Sequence, residues 1–458
     1  MNKVLGFIKS NLIIVISIVL ILALLPVGYV FSSKWNAKVS GEVKAAYDNE
    51  KRALNSSGRV NYALPAVLEG EQDVSESRAP NDAVTEFYQE AKQARIRQVE
   101  DVVERGTSFN QGSHVEIVEG LLPKASDTRE RQRLGRAMSE AIVGTRDTAS
   151  VYQRKLRRLN AGSPPAAQSL VTTLTQYKAQ LEQEYRSADA NSNITTEQQN
   201  EIEEKLTQRR MGEYIARAKS LTFYCSMDAI VNGSPNGETR TAGTDGFSIV
   251  PAVSWPPSMV TESVAFTWLW DYWVISDVLD AAALANSNAA SGAMSIPDAP
   301  VKRIEYIRVS ALDVASGSAS SDSDFSGGGR PIRGGGSSGR SSDSESAQVS
   351  FTGREGGTSS SPFDLRQIEL SAVVSSEDLP KFLDSFSKVN FMTVTDVDLQ
   401  DVDVWEDLRN GYYYGTDHVV RATIKVESVW LRSWVSPLMP DPVKQALGVP
   451  VSNPGNDG

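Results

Sequence analysis

Residues 11–31 read NLIIVISIVLILALLPVGYVF and contain no charged side chain. As a helix, the apolar run of residues 10–33 is about 36 Å long, enough to cross a hydrocarbon core of about 30 Å. A cleaved signal peptide is the alternative, but its apolar part is usually only about 7–15 residues and is followed by a small-residue cleavage site. We therefore predict an uncleaved membrane anchor. The anchor residues are Asn11, Leu12, Ile16, Leu20, Leu24, Phe31 and Trp35.

The charges that flank this run give opposite indications of its orientation. Lys3 and Lys9 favour a cytoplasmic N-terminus, whereas five Lys and Arg side chains between residues 34 and 52 favour the cytoplasm for the other end. Long domains cross membranes largely regardless of their charge. We predict a single-pass protein of the inner (plasma) membrane, with residues 1–9 as a short cytoplasmic tail and the body in the periplasm.

The composition narrows the classes of function. The chain has 458 residues, a formal net charge of −11, two histidines and a single cysteine, Cys225. Nucleic-acid binding needs a basic surface, so we expect no nucleic-acid partner. One cysteine cannot form an internal disulfide or a Cys-x-x-Cys site, and two histidines leave few metal or acid–base arrangements. We expect no catalytic residue, no cofactor and no metal.

A long helical region follows the anchor. Residues 34–219 are predicted to form a helical or coiled-coil stalk. In its clearest segment, apolar residues recur at steps of four, three, four and four, close to a heptad seam. The seam residues are Leu170, Leu174, Tyr177, Leu181 and Tyr185. Because the seam spans few heptads, packing within one chain and coiling between chains both remain open.

The rest of the chain mixes strand and helix patterns. The predicted elements are strands 220–227, 302–312, 367–374, 391–403 and 418–431, and helices 266–286 and 376–389. We divide this part into a first α/β part with an aromatic helix (220–314) and a second βαββ part (363–435). Between them, residues 315–362 are mostly Ser, Gly, Asp and Arg, which cannot bury enough apolar surface to fold, so we predict a disordered insertion. Residues 436–458 are predicted to be a flexible tail.

The second α/β part has a predicted apolar core on its helix. Its members are Leu379, Phe382, Leu383 and Phe386. The Trp-rich helix 266–286 is also predicted to be core, with ligand binding as the alternative. The carboxylates of residues 396–407 lack the glycine of a calcium loop and fit the solvent face and end of a strand better.

The order strand, strand, helix, strand, strand after an anchor and a stalk resembles the PilO family. These are inner-membrane alignment proteins of type IV pilus machines, with GspM-like relatives in type II secretion. The local resemblance is Phe382-Leu-Asp-Ser-Phe386, since family members carry a similar helix with Phe-Leu at its centre between two strands. With strand 220–227 included, the same pieces would form a βαββαβ ferredoxin-like fold. Both interpretations give a small antiparallel α+β domain with helices on one face.

The resemblance implies a partner rather than a substrate. It implies a homodimer or a heterodimer with a similar membrane-anchored protein, together with other proteins of the pilus or secretion platform. We therefore expect a non-enzymatic scaffold, with Lys425 on the polar face of strand 418–431 as the candidate docking residue. The alternative is a membrane-anchored receptor or sensor, with the Trp-rich helix and residues 412–414 lining a ligand pocket.

Overall fold

The computed structural model describes residues 12–66, 70–79, 81–188, 194–231, 247–248, 250, 259–288, 292–312, 350, 352–354 and 361–451. The chain divides into two compact units, Met1–Arg105 and Gly106–Gly458. We had predicted that the stalk ends at residue 219, but the structure has no division there. Residues 106–219 belong to the same unit as the sheet, because helices of this region bury their apolar faces against the α+β domain.

The first unit contains the predicted anchor. Its elements are α1 (Leu12–Ser57), β1 (Val60–Leu64), β2 (Val74–Arg78) and α2 (Asp82–Gln111), of which residues 106–111 belong to the second unit. Helix α1 is the one helix in the described part of the chain that is long and apolar enough to cross a membrane. Strands β1 and β2 form an antiparallel hairpin from Val60↔Arg78 to Leu64↔Val74. The ring of Tyr62 stacks on Tyr88 of α2, with centroids 4.4 Å apart.

The second unit is an α+β domain. In chain order it contains α3 (Thr128–Val143), α4 (Val151–Arg158), α5 (Ala167–Ala188), α6 (Thr196–Lys219), α7 (Met227–Val231), α8 (Glu262–Ala285), β3 (Ser287–Asn288), β4 (Gly292–Ala293), β5 (Val301–Val309), β6 (Phe363–Ser375), α9 (Leu379–Val389), β7 (Met392–Asp401), α10 (Val404–Arg409), β8 (Val419–Leu431), α11 (Arg432–Val435) and α12 (Asp441–Ala446).

Four strands form the main sheet, in the order β5-β6-β8-β7. Every neighbouring pair is antiparallel, and the central pair β6–β8 runs unbroken from Phe363↔Leu431 to Ser375↔Val419. The predicted α+β class and the small antiparallel sheet are confirmed.

Helices α8 and α9 pack on one face of this sheet. Helix α8 contacts β5, α9 contacts β7, and the two helices contact each other. Strand residues with a period of two, such as Ile368, Leu370 and Ala372, are buried beneath them. On its other side α8 is covered by α3 and α4; Lys155 Nζ of α4 lies 2.7 Å from Asp280 Oδ2. Because α8 lies between two layers, it is buried on most of its surface, which explains why its sequence is apolar almost all round.

Two predicted segments differ from the structure. Residues 220–227 do not form a strand: only Tyr224 bridges to β5, through its N–H to the Lys302 carbonyl (2.8 Å) and its carbonyl to the Ile304 N–H (2.8 Å). Helix α7 then begins at Met227, so no room is left for a longer pairing.

The predicted flexible tail is ordered as far as residue 451. Its apolar side chains complete the core beside α8 and β8, which a composition rich in Pro and Gly concealed. These buried side chains are Met439, Val443 and Leu447. Residues 452–458 and most of the predicted disordered insertion lie outside the described residues.

Candidate functional site

The predicted anchor residues from Leu12 to Trp35 lie along α1 and are exposed. Their exposed fractions run from 52% at Leu12 to 74% at Phe31. Ile16, Leu20, Leu24 and Trp35 fall within this range, and Asn11 lies outside the described residues. Transfer of apolar side chains from water into a hydrocarbon layer lowers the free energy, so this surface is more stable in a membrane than in water.

The predicted seam lies on α5 and packs within the chain. Leu181 is 4% exposed, and the other four seam residues, Leu170, Leu174, Tyr177 and Tyr185, are half-buried. Helix α5 contacts α6, and Lys205 Nζ of α6 donates a hydrogen bond to the Tyr185 hydroxyl at 3.0 Å. The seam therefore has a partner helix in the same chain; coiling between chains stays a prediction.

The predicted core of α9 lies where the sheet and α8 meet. Phe382 and Phe386 are fully buried, with ring centroids 5.0 Å apart, and Leu379 and Leu383 are half-buried at the edge of the same cluster. Asp378 precedes the helix, and Pro380 occupies its first turn, where the missing N–H has no helical partner.

The sheet face opposite α8 and α9, which we call the polar face, carries Lys425. Lys425 is half exposed, and its Nζ lies 3.3 Å from Asp396 Oδ2 on the neighbouring strand. Deeper on this face, Glu305 accepts hydrogen bonds from Arg421 Nε (2.8 Å) and Ser371 Oγ (2.9 Å). Burial raises the pKa of Glu305, but the hydrogen bond and charge of Arg421, with the charge of Arg303, outweigh it and hold the pKa below its usual range.

The tyrosines of the predicted ligand loop pack on the same network. The Arg303 guanidinium lies 3.9 Å from the centroid of the Tyr412 ring and bonds to Asp407 at 3.0 Å. The Tyr414 hydroxyl donates to Asp407 at 2.9 Å. These rings therefore hold the polar network in place through hydrogen bonding and cation–π attraction.

The end of the long insertion covers part of the polar face. Ser350 Oγ donates to Glu427 Oε2 at 2.9 Å, Arg354 Nη1 lies 2.7 Å from Glu427 Oε1, and Thr352 also donates to that carboxylate. Burial raises the pKa of Glu427, but these donors outweigh it, so its pKa lies below the usual value. No sequence pattern predicts this contact, because these residues lie in the low-complexity segment.

A second polar network joins the last turn of α2 to the domain. Asn110 donates to Asn390 Oδ1 (2.8 Å), Asn390 Nδ2 donates to Asp277 Oδ2 (2.8 Å), and Asp277 Oδ1 bonds to His114 Nε2 (2.8 Å). Trp434 Nε1 donates to Asn110 Oδ1 at 2.8 Å and stacks on the His114 ring. Sequence reasoning placed His114 in an ordinary loop and missed this network, since its members are distant in the chain.

Burial and ion pairing shift the pKa of His114 in opposite directions. Burial lowers the pKa of His114, but the hydrogen bond and the charge of Asp277 outweigh it and raise the pKa above its usual value. The side chains of His114 and Asp277 are only 7% and 6% exposed. The pair therefore clamps the end of α2 between α8 and β8 rather than facing a substrate.

The Trp-rich helix contributes to the core. Trp270 and Trp273 are 0% and 1% exposed, and both rings contact Trp430 of β8. Arg366 lies 4.9 Å from the Trp270 centroid and pairs with Asp271 at 2.5 Å. A tryptophan cluster of this kind stabilises the domain through buried area and ring contacts.

One tryptophan has the opposite environment. Trp405 of α10 is 75% exposed, beside Leu399 and Val404, which are 50% and 41% exposed. Asp403 caps α10 by accepting the Trp405 and Glu406 N–H groups at 3.1 and 3.0 Å. Sequence reasoning treated this stretch as a carboxylate cluster and did not single out Trp405.

In the described residues, no group of three or more His, Cys, Asp or Glu side chains is placed to hold a metal ion. No family model, curated protein or solved structure matches the chain. The described residues contain a long exposed apolar helix and two buried polar networks that hold elements in place.

Proposed function

We propose that this protein is a non-enzymatic, single-pass membrane scaffold that holds other proteins in place through its α+β domain. The setting that we favour is the inner-membrane assembly or alignment platform of a type IV pilus or a type II secretion-like machine. The N-terminus lies in the cytoplasm and the body in the periplasm. One observation carries the proposal: the same chain contains an exposed apolar helix and an α+β domain. In that domain the tryptophan cluster is buried and the sheet face opposite α8 and α9 is polar.

The order of elements supports a ferredoxin-like assignment of the domain. From α8 onward the chain runs helix, strand, strand, helix, strand, strand, with the strand order β5-β6-β8-β7. A βαββαβ ferredoxin-like chain whose first strand is moved to its end has this order. The PilO-like resemblance of residues 382–386 points to the same arrangement, because that segment is the centre of α9 between β6 and β7.

The receptor alternative has less support. It would place a ligand against the Trp-rich helix and residues 412–414. Trp270 and Trp273 are enclosed by other core residues, and Tyr412 is covered by the Arg303 guanidinium. These rings are already in contact with the chain's own side chains, which favours the scaffold.

The proposal is tested by identifying the membrane proteins that co-purify with the tagged full chain after mild detergent extraction. We expect single-span proteins with bodies outside the cytoplasm. Lys425→Glu should reduce their recovery, whereas Lys381→Glu, the same charge change on the exposed side of α9, should not. Recovery of no membrane protein above an untagged control would contradict the scaffold function.

A further inference from the structure

The corner of β7 and α10, which we call the acidic corner, combines exposed apolar side chains with negative charge. Leu399 of β7 and Val404 and Trp405 of α10 are its exposed apolar side chains. Residues 391–407 carry six Asp or Glu side chains and no Lys or Arg. The exposed carboxylates are Asp396, Asp398, Asp401, Asp403 and Glu406. Two cations lie at this corner: Arg409 Nε donates to the Trp405 carbonyl at 3.3 Å, and Lys425 Nζ lies 3.3 Å from Asp396 Oδ2. The carboxylates remain in excess, and an exposed tryptophan is a frequent energetic centre of docking surfaces.

Helix α3 carries the complementary charge. Residues 124–158 contain ten Lys or Arg and four Asp or Glu side chains, a formal charge of +6 in a chain whose net charge is −11. Arg129, Arg133 and Arg136 recur at i, i+4 and i+7, so they share one exposed face, which we call the arginine stripe. Leu134 and Met138 lie on the opposite, buried face.

The buried side of α3 packs closely on residues 259–260, and the stripe on its exposed side keeps cations that pair with no described residue. A Cβ on Gly135 would lie 2.5 Å from the Val260 carbonyl oxygen, so only glycine lets α3 approach residues 259–260 this closely. Met259 lies against this glycine and is 51% exposed. Arg129 and Arg136 form no ion pair with any residue that the structure describes, whereas Arg133 pairs with Glu130 at 2.5 Å.

We infer that the acidic corner of one copy docks on the arginine stripe of a second copy of this chain. Arg guanidinium groups pair with carboxylates and stack on tryptophan faces, so one stripe can engage both the Asp side chains and Trp405. This inference rests on the proposed scaffold function and names one of its partners.

The choice of a second copy follows from charge and anchoring. An acidic chain repels its own copies unless oppositely charged patches meet. Here both patches lie on the same compact unit, in different layers: α3 packs on α8, and β7 is the edge of the sheet. Copies held in one membrane also meet at a high effective concentration, so a modest contact suffices.

The predicted contact is head-to-tail, because it joins two different patches. A pair then keeps one free stripe on one copy and one free corner on the other, so the association extends beyond a pair into a ring or a line. A two-fold contact of acidic corner with acidic corner would instead bring like charges together.

The experiment measures self-association of the full chain in detergent micelles by sedimentation velocity. We expect concentration-dependent species larger than a dimer, weakened by added salt. Trp405→Ala should weaken association about 30-fold or more, the loss that marks an energetic centre of an interface. Arg136→Glu and Asp398→Lys should each weaken it about tenfold or more. Arg210→Glu on α6, an equal charge change at another exposed position, is the control and should have no effect.

Mixing the two charge-reversal variants gives the sharpest result. In the mixture, the intact corner of the Arg136→Glu chain meets the intact stripe of the Asp398→Lys chain, and the two reversed charges attract each other at the next contact, so the mixture should regain species larger than a pair that neither variant forms alone. A chain that carries both changes should recover longer assemblies.

Three results would overturn the inference. The first is a wild-type chain that stays monomeric, and the second is self-association that the Trp405 and charge variants leave unchanged. The third is an Arg136→Glu chain that binds anionic lipid vesicles less tightly than wild type but self-associates normally. If the chain still co-purifies with other single-span proteins under any of these results, the scaffold function stands without self-docking. If it captures none, both proposals fail.

Discussion

Two tryptophan-bearing helices of the same domain have opposite environments. In α8, Trp270 and Trp273 are almost fully buried between the sheet and the α3–α4 layer, whereas Trp405 of α10 is 75% exposed among carboxylates. Burial of a large ring stabilises the fold in the first helix, and exposure leaves the same ring free to stabilise a complex in the second. In this chain the dense aromatic segment forms buried core, whereas the isolated Trp405 is exposed to solvent.

The largest expected effect separates these two helices. We expect Trp273→Ala to lower the free energy of unfolding of the domain by about 3–5 kcal/mol, because it removes a fully packed ring and leaves a cavity. Trp405→Ala should change it by less than about 0.5 kcal/mol, as for other exposed positions. Urea unfolding of both variants measures the difference, and equal losses would show that the corner is part of the core.

The clamp at the end of α2 should depend on pH. We expect His114→Gln to cost about 1–3 kcal/mol, because Asp277 stays buried without its cation. The folded-state pKa of His114 is raised, so its contribution is complete below the unfolded value near 6.5 and is lost as pH rises through the folded value. Asp280 is the other charged group that acts on Asp277.

Unfolding free energies measured between pH 5 and 9 test this clamp. Wild type should lose stability toward the alkaline end, and the His114→Gln variant should show less of this slope. Parallel curves for the two proteins would show that the His114–Asp277 pair does not titrate with folding.

The insertion should be dispensable only in part. Removal of residues 317–349 should leave stability nearly unchanged, since loop closure depends weakly on length. Removal of residues 317–361 should cost about 1–2 kcal/mol, because Glu427 loses Ser350, Thr352 and Arg354. The folded-state pKa of Glu427 is lowered, so the gap should close as pH falls below about 4. Thermal melts of both deletion variants at pH 7 and pH 3.5 measure this difference in stability.

The smallest effect on folding concerns the polar face. We expect Lys425→Glu to change the free energy of unfolding by no more than about 0.5 kcal/mol, because the side chain is half exposed and its ion pair with Asp396 is screened by solvent. A loss near that of Trp273→Ala would mean that this face is structural and would remove Lys425 as a docking candidate.

The parts of the fold that the sequence predicted are those with a local signal. The uncharged run predicted α1. The start of α6 also carries a local signal, because Thr195 and Gln198 form both reciprocal hydrogen bonds of a capping box. Alternation predicted β6 and β8. The sequence did not predict that residues 106–158 and 436–449 complete the core of the α+β domain, because those contacts join segments hundreds of residues apart.

The candidate sites likewise divide into those with a local sequence signal and those that depend on long-range contacts. Lys425 was predicted from strand alternation, a local pattern. The clamp of Asn110, His114, Asp277 and Asn390 and the cover on Glu427 each depend on long-range pairing, which no periodicity reports. Trp405 had a usable local signal, because it is a lone tryptophan next to a helix cap and an acidic run. Sequence analysis missed it by interpreting this stretch as the solvent-facing end of a strand.

The central claim is that α1 holds the chain on a membrane and displays the α+β domain on the far side. The most direct measurement is a reporter that is active only after export, fused after residue 451 so that the buried side chains of α12 stay in place. The account predicts an active reporter on a full-length chain that sediments with membranes. Two results would contradict it: an inactive export-dependent reporter together with an active cytoplasmic reporter at the same position, or a chain released from membranes after cleavage near residue 33.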